Sequence, residues 1–155
     1  MKSQVISAQM ADGKAKTTKS TFNRKTTISI KIKAERKEIW KILTNAHKYP
    51  KWNSTIVSLE GSIEPGGKIR LKSTLDPKRT FKLKIKEYTA PRKLVWGDGK
   101  GNRSFTLKEI EGQVEVIMTE KIGGLMFPLY AKYIPPFDQS FEQFMNDLKQ
   151  EAEKK

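Results

Sequence analysis

Apolar and polar residues alternate with period two in most of this chain, and the exceptions are two stretches of helical spacing. Ile28, Ile30 and Ile32 alternate with Ser29, Lys31 and Lys33, the pattern of a half-buried strand. From Ala34 to Asn45 the period changes: Ile39, Trp40 and Leu43 fall on one helical stripe, with Glu35 and Glu38 at the end that favours negative charge. A second short helix or turn runs through His47, Tyr49 and Pro50 to Trp52. Alternation then returns in Thr55-Val57-Leu59, Ile69-Leu71-Leu75, Phe81-Leu83-Ile85, Leu94-Trp96, Phe105-Leu107 and Val114-Val116-Met118. Turn signals separate these runs at Pro65-Gly66-Gly67, Asp76-Pro77, Gly97-Asp98-Gly99 and Glu111-Gly112. The chain closes on helical spacing: Phe137, Phe141, Phe144, Met145, Leu148 and Ala152, with Asp138 as the expected N-cap.

These elements predict an α+β domain of order β-α-α-β6-α. A curved antiparallel sheet of about seven strands joined by hairpins must cover its apolar face, and the C-terminal helix is the available cover. Residues 1–22 are polar and small, without apolar period, and read as a flexible basic tail; residues 23–155 read as one domain.

Charge adds a second theme. Lys and Arg number 31 against 17 acidic residues, a net of +14. Six basic residues and one acidic one fall in residues 1–25, so the remainder still carries +9 of that total. Lys31, Lys33, Lys82, Lys84 and Lys86 take the parity opposite the apolar residues and belong to a solvated face. Weak contact with an anionic membrane or nucleic acid is compatible with this charge. The aromatic residues, however, follow core parity and form no base-stacking platform among the lysines.

The absence of cysteine removes disulfides, thiolate nucleophiles and Cys-based zinc sites. A single histidine, His47, in a polar turn, leaves no histidine cluster for a metal. No cofactor, no metal site and no catalytic residue is therefore assigned. The stretch from Gly123 to Pro136 is too short and too interrupted to span a bilayer, and the N-terminal residues lack a signal peptide's apolar region. A cytoplasmic setting is expected.

Polar side chains on apolar parity mark candidate sites, because burying them without partners is costly. Arg79 shares the face of Phe81, Leu83 and Ile85; Arg103 shares that of Phe105 and Leu107; Glu120 follows Val114, Val116 and Met118. They either enter an internal cavity and orient a ligand, or sit at strand ends as ordinary solvated or ion-paired groups. Trp52, Phe81, Trp96, Phe105, Met118 and Phe141 are candidate cavity walls as well as candidate core. The segment Gly123-Gly124-Leu125-Met126-Phe127-Pro128-Leu129-Tyr130 reads as a gate over the cavity mouth, giving Phe127 and Tyr130, or as an early start of the last helix, with Pro135-Pro136 as a kink.

Several strings together resemble a known superfamily. They are Ile30-Lys31-Ile32-Lys33-Ala34, Ile39-Trp40-Lys41-Ile42-Leu43-Thr44, Tyr49-Pro50-Lys51-Trp52-Asn53, Gly66-Gly67, Leu94-Val95-Trp96, Glu120 and Gly123. Their order and spacing are similar to the SRPBCC (START-like) superfamily, most of all its polyketide cyclase/dehydrase and lipid transport branch, over about residues 26–155. The resemblance implies a helix-grip fold, with the sheet and last helix enclosing a cavity for a hydrophobic ligand. Lipid and sterol carriers, polyketide cyclases, chaperone co-activators and ring-hydroxylase subunits share that fold, and the last lack their iron-binding histidines here. The expected function is binding of a hydrophobic or amphipathic small molecule, such as a lipid or polyketide-like compound, for transport or sensing. A cyclase, dehydratase or hydrolase using Glu120 in the same cavity is the alternative, as is a basic interaction module for RNA, ribosome or protein.

Overall fold

The computed structural model describes residues 11–154. Eight strands form one antiparallel sheet: β1 (Lys16–Lys19), β2 (Asn23–Ile32), β3 (Ile56–Gly61), β4 (Lys68–Ser73), β5 (Asp76–Thr89), β6 (Lys93–Gly97), β7 (Gly101–Ile110) and β8 (Gln113–Gly123). Their spatial order is β1-β2-β8-β7-β6-β5-β4-β3. Thus β3 to β8 form a meander of hairpins, and β2 returns to lie beside β8. Helices α1 (Arg36–Thr44) and α2 (Tyr49–Trp52) fill the connection from β2 to β3, α3 (Phe127–Tyr130) follows β8, and α4 (Asp138–Glu153) ends the fold.

Helix α4 lies across the concave face of the sheet. Phe141, Phe144, Met145 and Leu148 are almost wholly buried against Ile28, Phe105, Leu107, Val116 and Met118 from the sheet. The curved sheet covered by a C-terminal helix that periodicity predicts is observed, and it is the helix-grip fold that the resemblance implied. Register shifts between Ile56 and Ser58, Leu71 and Ser73, and Ile85 and Glu87 interrupt the outer ladders. Such bulges increase local twist and curl a sheet around its cover.

Four local expectations change. Residues 16–19 are strand rather than tail: Lys16 to Lys19 pair with Thr27 to Arg24, which makes eight strands instead of seven. Residues 1–10, the rest of the expected tail apart from 11–15 and 20–22, lie outside the described residues. Asp138 does not cap α4; the helix begins at that residue, Phe137 precedes it, and the Asp138 carboxylate instead accepts a hydrogen bond from Thr17 Oγ1 at 2.6 Å. The turn after β4 is Thr74-Leu75, so Asp76 and Pro77 already belong to β5; Ser73 Oγ accepts the Leu75 N–H at 3.1 Å. Val57 faces solvent, since the bulge between Ile56 and Ser58 breaks the alternation and leaves Ile56 and Leu59 as the buried pair.

The lysines fall where parity placed them: Lys31, Lys33, Lys82, Lys84 and Lys86 are exposed. His47 is exposed as well.

Candidate functional site

Between the sheet and the start of α4 lies a cavity of about 220 Å³. Its walls come from the ends of β4 to β8 and from the segment that leads into α4. Leu71, Leu83 and Ile122 provide apolar wall, Trp96 the floor, and Tyr133 and Phe137 the roof.

The polar centre of this cavity is built by one hairpin. Glu111 and Gly112, with φ of 46° and 78°, form a two-residue turn between β7 and β8. Positive φ at both central residues matches the right-handed twist of the strands, so such a turn holds a tight ladder in register. Followed down that ladder, the register sets Arg103 directly opposite Glu120. Arg103 Nε donates to Glu120 Oε1 at 2.7 Å, and the side chains are only 15% and 19% exposed. The guanidinium also lies over the rings of Phe141 and Phe144, at 4.9 and 5.4 Å from their centroids. Both groups are thus held in place by the β7–β8 ladder and by α4.

A guanidinium carries five N–H donors and a carboxylate two acceptor oxygens. Among the described residues, the Nε bond is the hydrogen bond that Arg103 makes to the protein, and Oε1 is the oxygen of Glu120 that receives one. The terminal nitrogens of Arg103 and the Oε2 of Glu120 make no hydrogen bond to the protein among the described residues. Side by side, the pair presents a donor and an acceptor while cancelling its own net charge.

Six of the eleven predicted residues line this cavity: Arg79, Phe81, Trp96, Arg103, Glu120 and Tyr130. Arg79 stands at the exposed rim, stacked on Phe81 at 4.6 Å. The other five do not line it. Phe105, Met118, Phe127 and Phe141 are core residues, at most 4% exposed. Phe105 and Met118 face each other two residues further along the β7–β8 ladder, underneath α4, where helix side chains fill the space. Phe127 packs on Tyr130 from behind, with ring centroids 5.6 Å apart. Trp52 packs on Tyr49 and Phe144 and borders a groove beside α1 instead. Among the described residues, no group of three or more His, Cys, Asp or Glu comes together to hold a metal ion.

One buried charged residue beside the cavity escaped the sequence reading. Arg24 is 8% exposed and donates to the carbonyls of Ile134 at 3.2 Å and Pro135 at 2.7 Å, while its guanidinium stacks on Phe137 at 4.6 Å. Burial lowers its pKa, and the charges of Glu120 and Asp138 oppose that shift. Arg24 therefore pins the roof segment to the sheet. It precedes Thr26 and Ile28 on apolar parity, the same signal that singled out Arg103.

The segment after β8 is not an early start of α4. It forms the one-turn α3, a 3-10 turn over Ala131–Tyr133, and extended residues into Phe137. Pro135-Pro136 separates α3 from α4 and is not a kink within a longer helix. Tyr49, fully buried beside this site, donates to the Leu43 carbonyl at 2.6 Å. Burial pushes its phenol far above the ordinary value, and the Arg103 charge only partly offsets this. Its hydroxyl ties the end of α1 to the core.

Residues 33–153 match the family model described as activator of Hsp90 ATPase homolog 1-like protein, and the chain belongs to that family. No curated protein matches it. Among solved structures, it resembles the Zhui aromatase/cyclase from Streptomyces sp. R1128 with a TM-score of 0.68 and 13% identity, over 84% of this chain and 94% of that one. A START superfamily protein from Mycobacterium smegmatis gives 0.63 and 14%, over 83% and 97%. A conserved protein of unknown function from Enterococcus faecalis gives 0.64 and 18%, over 88% and 75%. At these identities the likeness establishes the fold, which is START-like, as the sequence motifs implied. No helix among the described residues is long and apolar enough to cross a membrane.

Proposed function

We propose that this protein binds a small, uncharged amphipathic molecule in the cavity above Trp96, with Arg103 and Glu120 orienting its polar end. The observation that carries this reading is the self-neutralised pair, whose remaining donors and acceptor face a cavity with apolar walls at Leu71, Leu83 and Ile122 and further polar groups, among them Asp76, Arg79 and Asp98, toward its rim. A guest with a carbonyl or ether oxygen beside a hydroxyl satisfies both groups: the oxygen accepts from Arg103 and the hydroxyl donates to Glu120. A carboxylate guest would meet Glu120 at close range. The volume of about 220 Å³ lies just under the ~300–1,000 Å³ common for ligand pockets. It suits a bicyclic or short-chain molecule rather than a whole phospholipid. An aromatase/cyclase among the structural neighbours is in keeping with a polyketide-like guest.

Carrier or sensor activity fits better than catalysis. A general acid or base needs an exchangeable proton and a partner to relay it, and among the described residues the side chain that Glu120 bonds to is Arg103, a guanidinium that stays protonated. Native mass spectrometry of freshly purified protein tests the proposal. A discrete added mass that leaves on denaturation is expected, and solvent extraction then names its class. Protein that carries no added mass, and takes up none of a panel of hydroxylated aryl ketones, contradicts it.

A second reading rests on a different observation. On the convex face Lys68 stands opposite Lys84 and Arg70 opposite Lys82, and like charges in direct register are destabilising. Apart from Glu60 on Arg70 at 2.9 Å, no acidic partner is bonded to these four among the described residues, which favours an acidic protein surface as partner. The family's description, an activator of a chaperone ATPase, is in keeping with a protein-facing role. Failure of a heparin column to retain the protein counts against this reading.

A further inference from the structure

Five of the six large apolar side chains exposed among the described residues gather at one end of the molecule. They are Phe22, Leu125, Met126, Leu129 and Tyr133, with 51, 88, 61, 67 and 74% exposure; only Val57 lies elsewhere. Backbone bonds hold this cluster together: Gly124 N–H donates to the Phe22 carbonyl at 3.0 Å, and Leu129 N–H to Met126 at 3.0 Å. Contiguous apolar surface of this kind on a folded domain marks an interaction site rather than a solvated face.

Its charge selects the partner. Between Glu120 and Asp138 the chain contains two lysines and no acidic residue. Lys132 lies over the Tyr133 ring at 5.2 Å and Lys100 over Tyr130 at 5.6 Å, and the Gly123 N–H donates to the Lys100 carbonyl at 2.9 Å. Lys25 and Lys121 face each other at the neighbouring end of β2 and β8. Leucine and methionine at the tip, aromatic rings beside them and lysines around the edge are the composition of a surface that enters a headgroup layer. Tyr130 and Tyr133 also line the cavity, so the cluster borders its mouth.

From this we infer that the tip formed by Phe22 and residues 125–133 docks onto an anionic lipid bilayer, placing the cavity mouth against the membrane. A hydrophobic guest would then enter or leave without crossing water. The docking surface stands on the exposed cluster alone and does not depend on what the cavity holds.

Co-sedimentation of the full chain tests it, with vesicles of phosphatidylcholine alone and of phosphatidylcholine mixed with phosphatidylglycerol. Binding to the mixed vesicles is expected, weakening with added salt. Leu125→Asp and Leu129→Asp should each weaken it by about tenfold, the loss set by burial of one leucine. A Lys82→Gln/Lys84→Gln variant on the convex face should bind as the parent does. A Leu129→Trp variant should show a blue-shifted emission only with the mixed vesicles. Absence of binding to either vesicle overturns the inference. So does binding that survives the aspartate variants and vanishes with the convex-face variant, or an apolar tip that proves to mediate self-association and no vesicle binding.

Discussion

Phe144→Ala is expected to lower the stability of the domain by about 3–5 kcal/mol, the range for removing a buried phenylalanine from a core that cannot collapse around the gap. The residue is 1% exposed and is the point where α4 meets everything else. Its ring contacts those of Tyr49, Trp52 and Phe105 at 6.3, 5.9 and 5.8 Å, and it supports the Arg103 guanidinium. For a domain of this length the loss corresponds to a fall in Tm on the order of 10 °C, readable by calorimetry. A loss below about 1 kcal/mol would mean that α4 is not the structural cover of the sheet.

The second large effect belongs to the ion pair. Arg103→Leu and Glu120→Leu each leave a mostly buried charge without its partner, and breaking a fully buried pair costs about 3–5 kcal/mol. Here the partial exposure reduces that to about 2 kcal/mol for each single variant. The double variant, Arg103→Leu with Glu120→Leu, replaces both groups by apolar ones and should recover most of the loss. Its ability to hold a hydroxylated guest should not recover. Denaturant melts of the four proteins give the coupling directly. Simple addition of the two single losses would show that the pair does not act as a unit. Recovery of guest binding together with stability would show that the pair serves the fold alone.

How much of this could be read from the sequence depends on what each pattern encodes. Parity alone identified the face that Arg103 and Glu120 occupy, because a strand has only two faces. It did not place them opposite each other, although the turn that does so, Glu111-Gly112, was visible as a turn signal. Counting outward from a two-residue turn would have supplied the pairing. Parity is also silent on position along a strand. Phe105 and Met118 share the face of Arg103 and Glu120 but lie beneath α4, so they are core, whereas the cavity occupies the end of the sheet that α4 leaves uncovered. Arg24 was hidden by a boundary: with the alternation read only from Ile28, its place on apolar parity carried no weight. β1 was illegible for another reason, since Lys16-Thr17-Thr18-Lys19 at a sheet edge has no apolar face to alternate.

The central claim is that a guest sits above Trp96 with its polar end on Arg103 and Glu120, and the three tryptophans offer a direct readout. Trp96 lines the cavity, while Trp40 and Trp52 do not. In a nitrogen-15-labelled sample each indole N–H gives its own resonance. Titration with a hydroxylated naphthyl ketone should move the Trp96 signal to saturation and leave the other two in place. Naphthalene, which lacks both polar groups, should bind more weakly, and the Arg103→Leu/Glu120→Leu protein should no longer distinguish the two compounds. A Trp96 resonance that stays still throughout, or equal responses from all three indoles, would contradict the account.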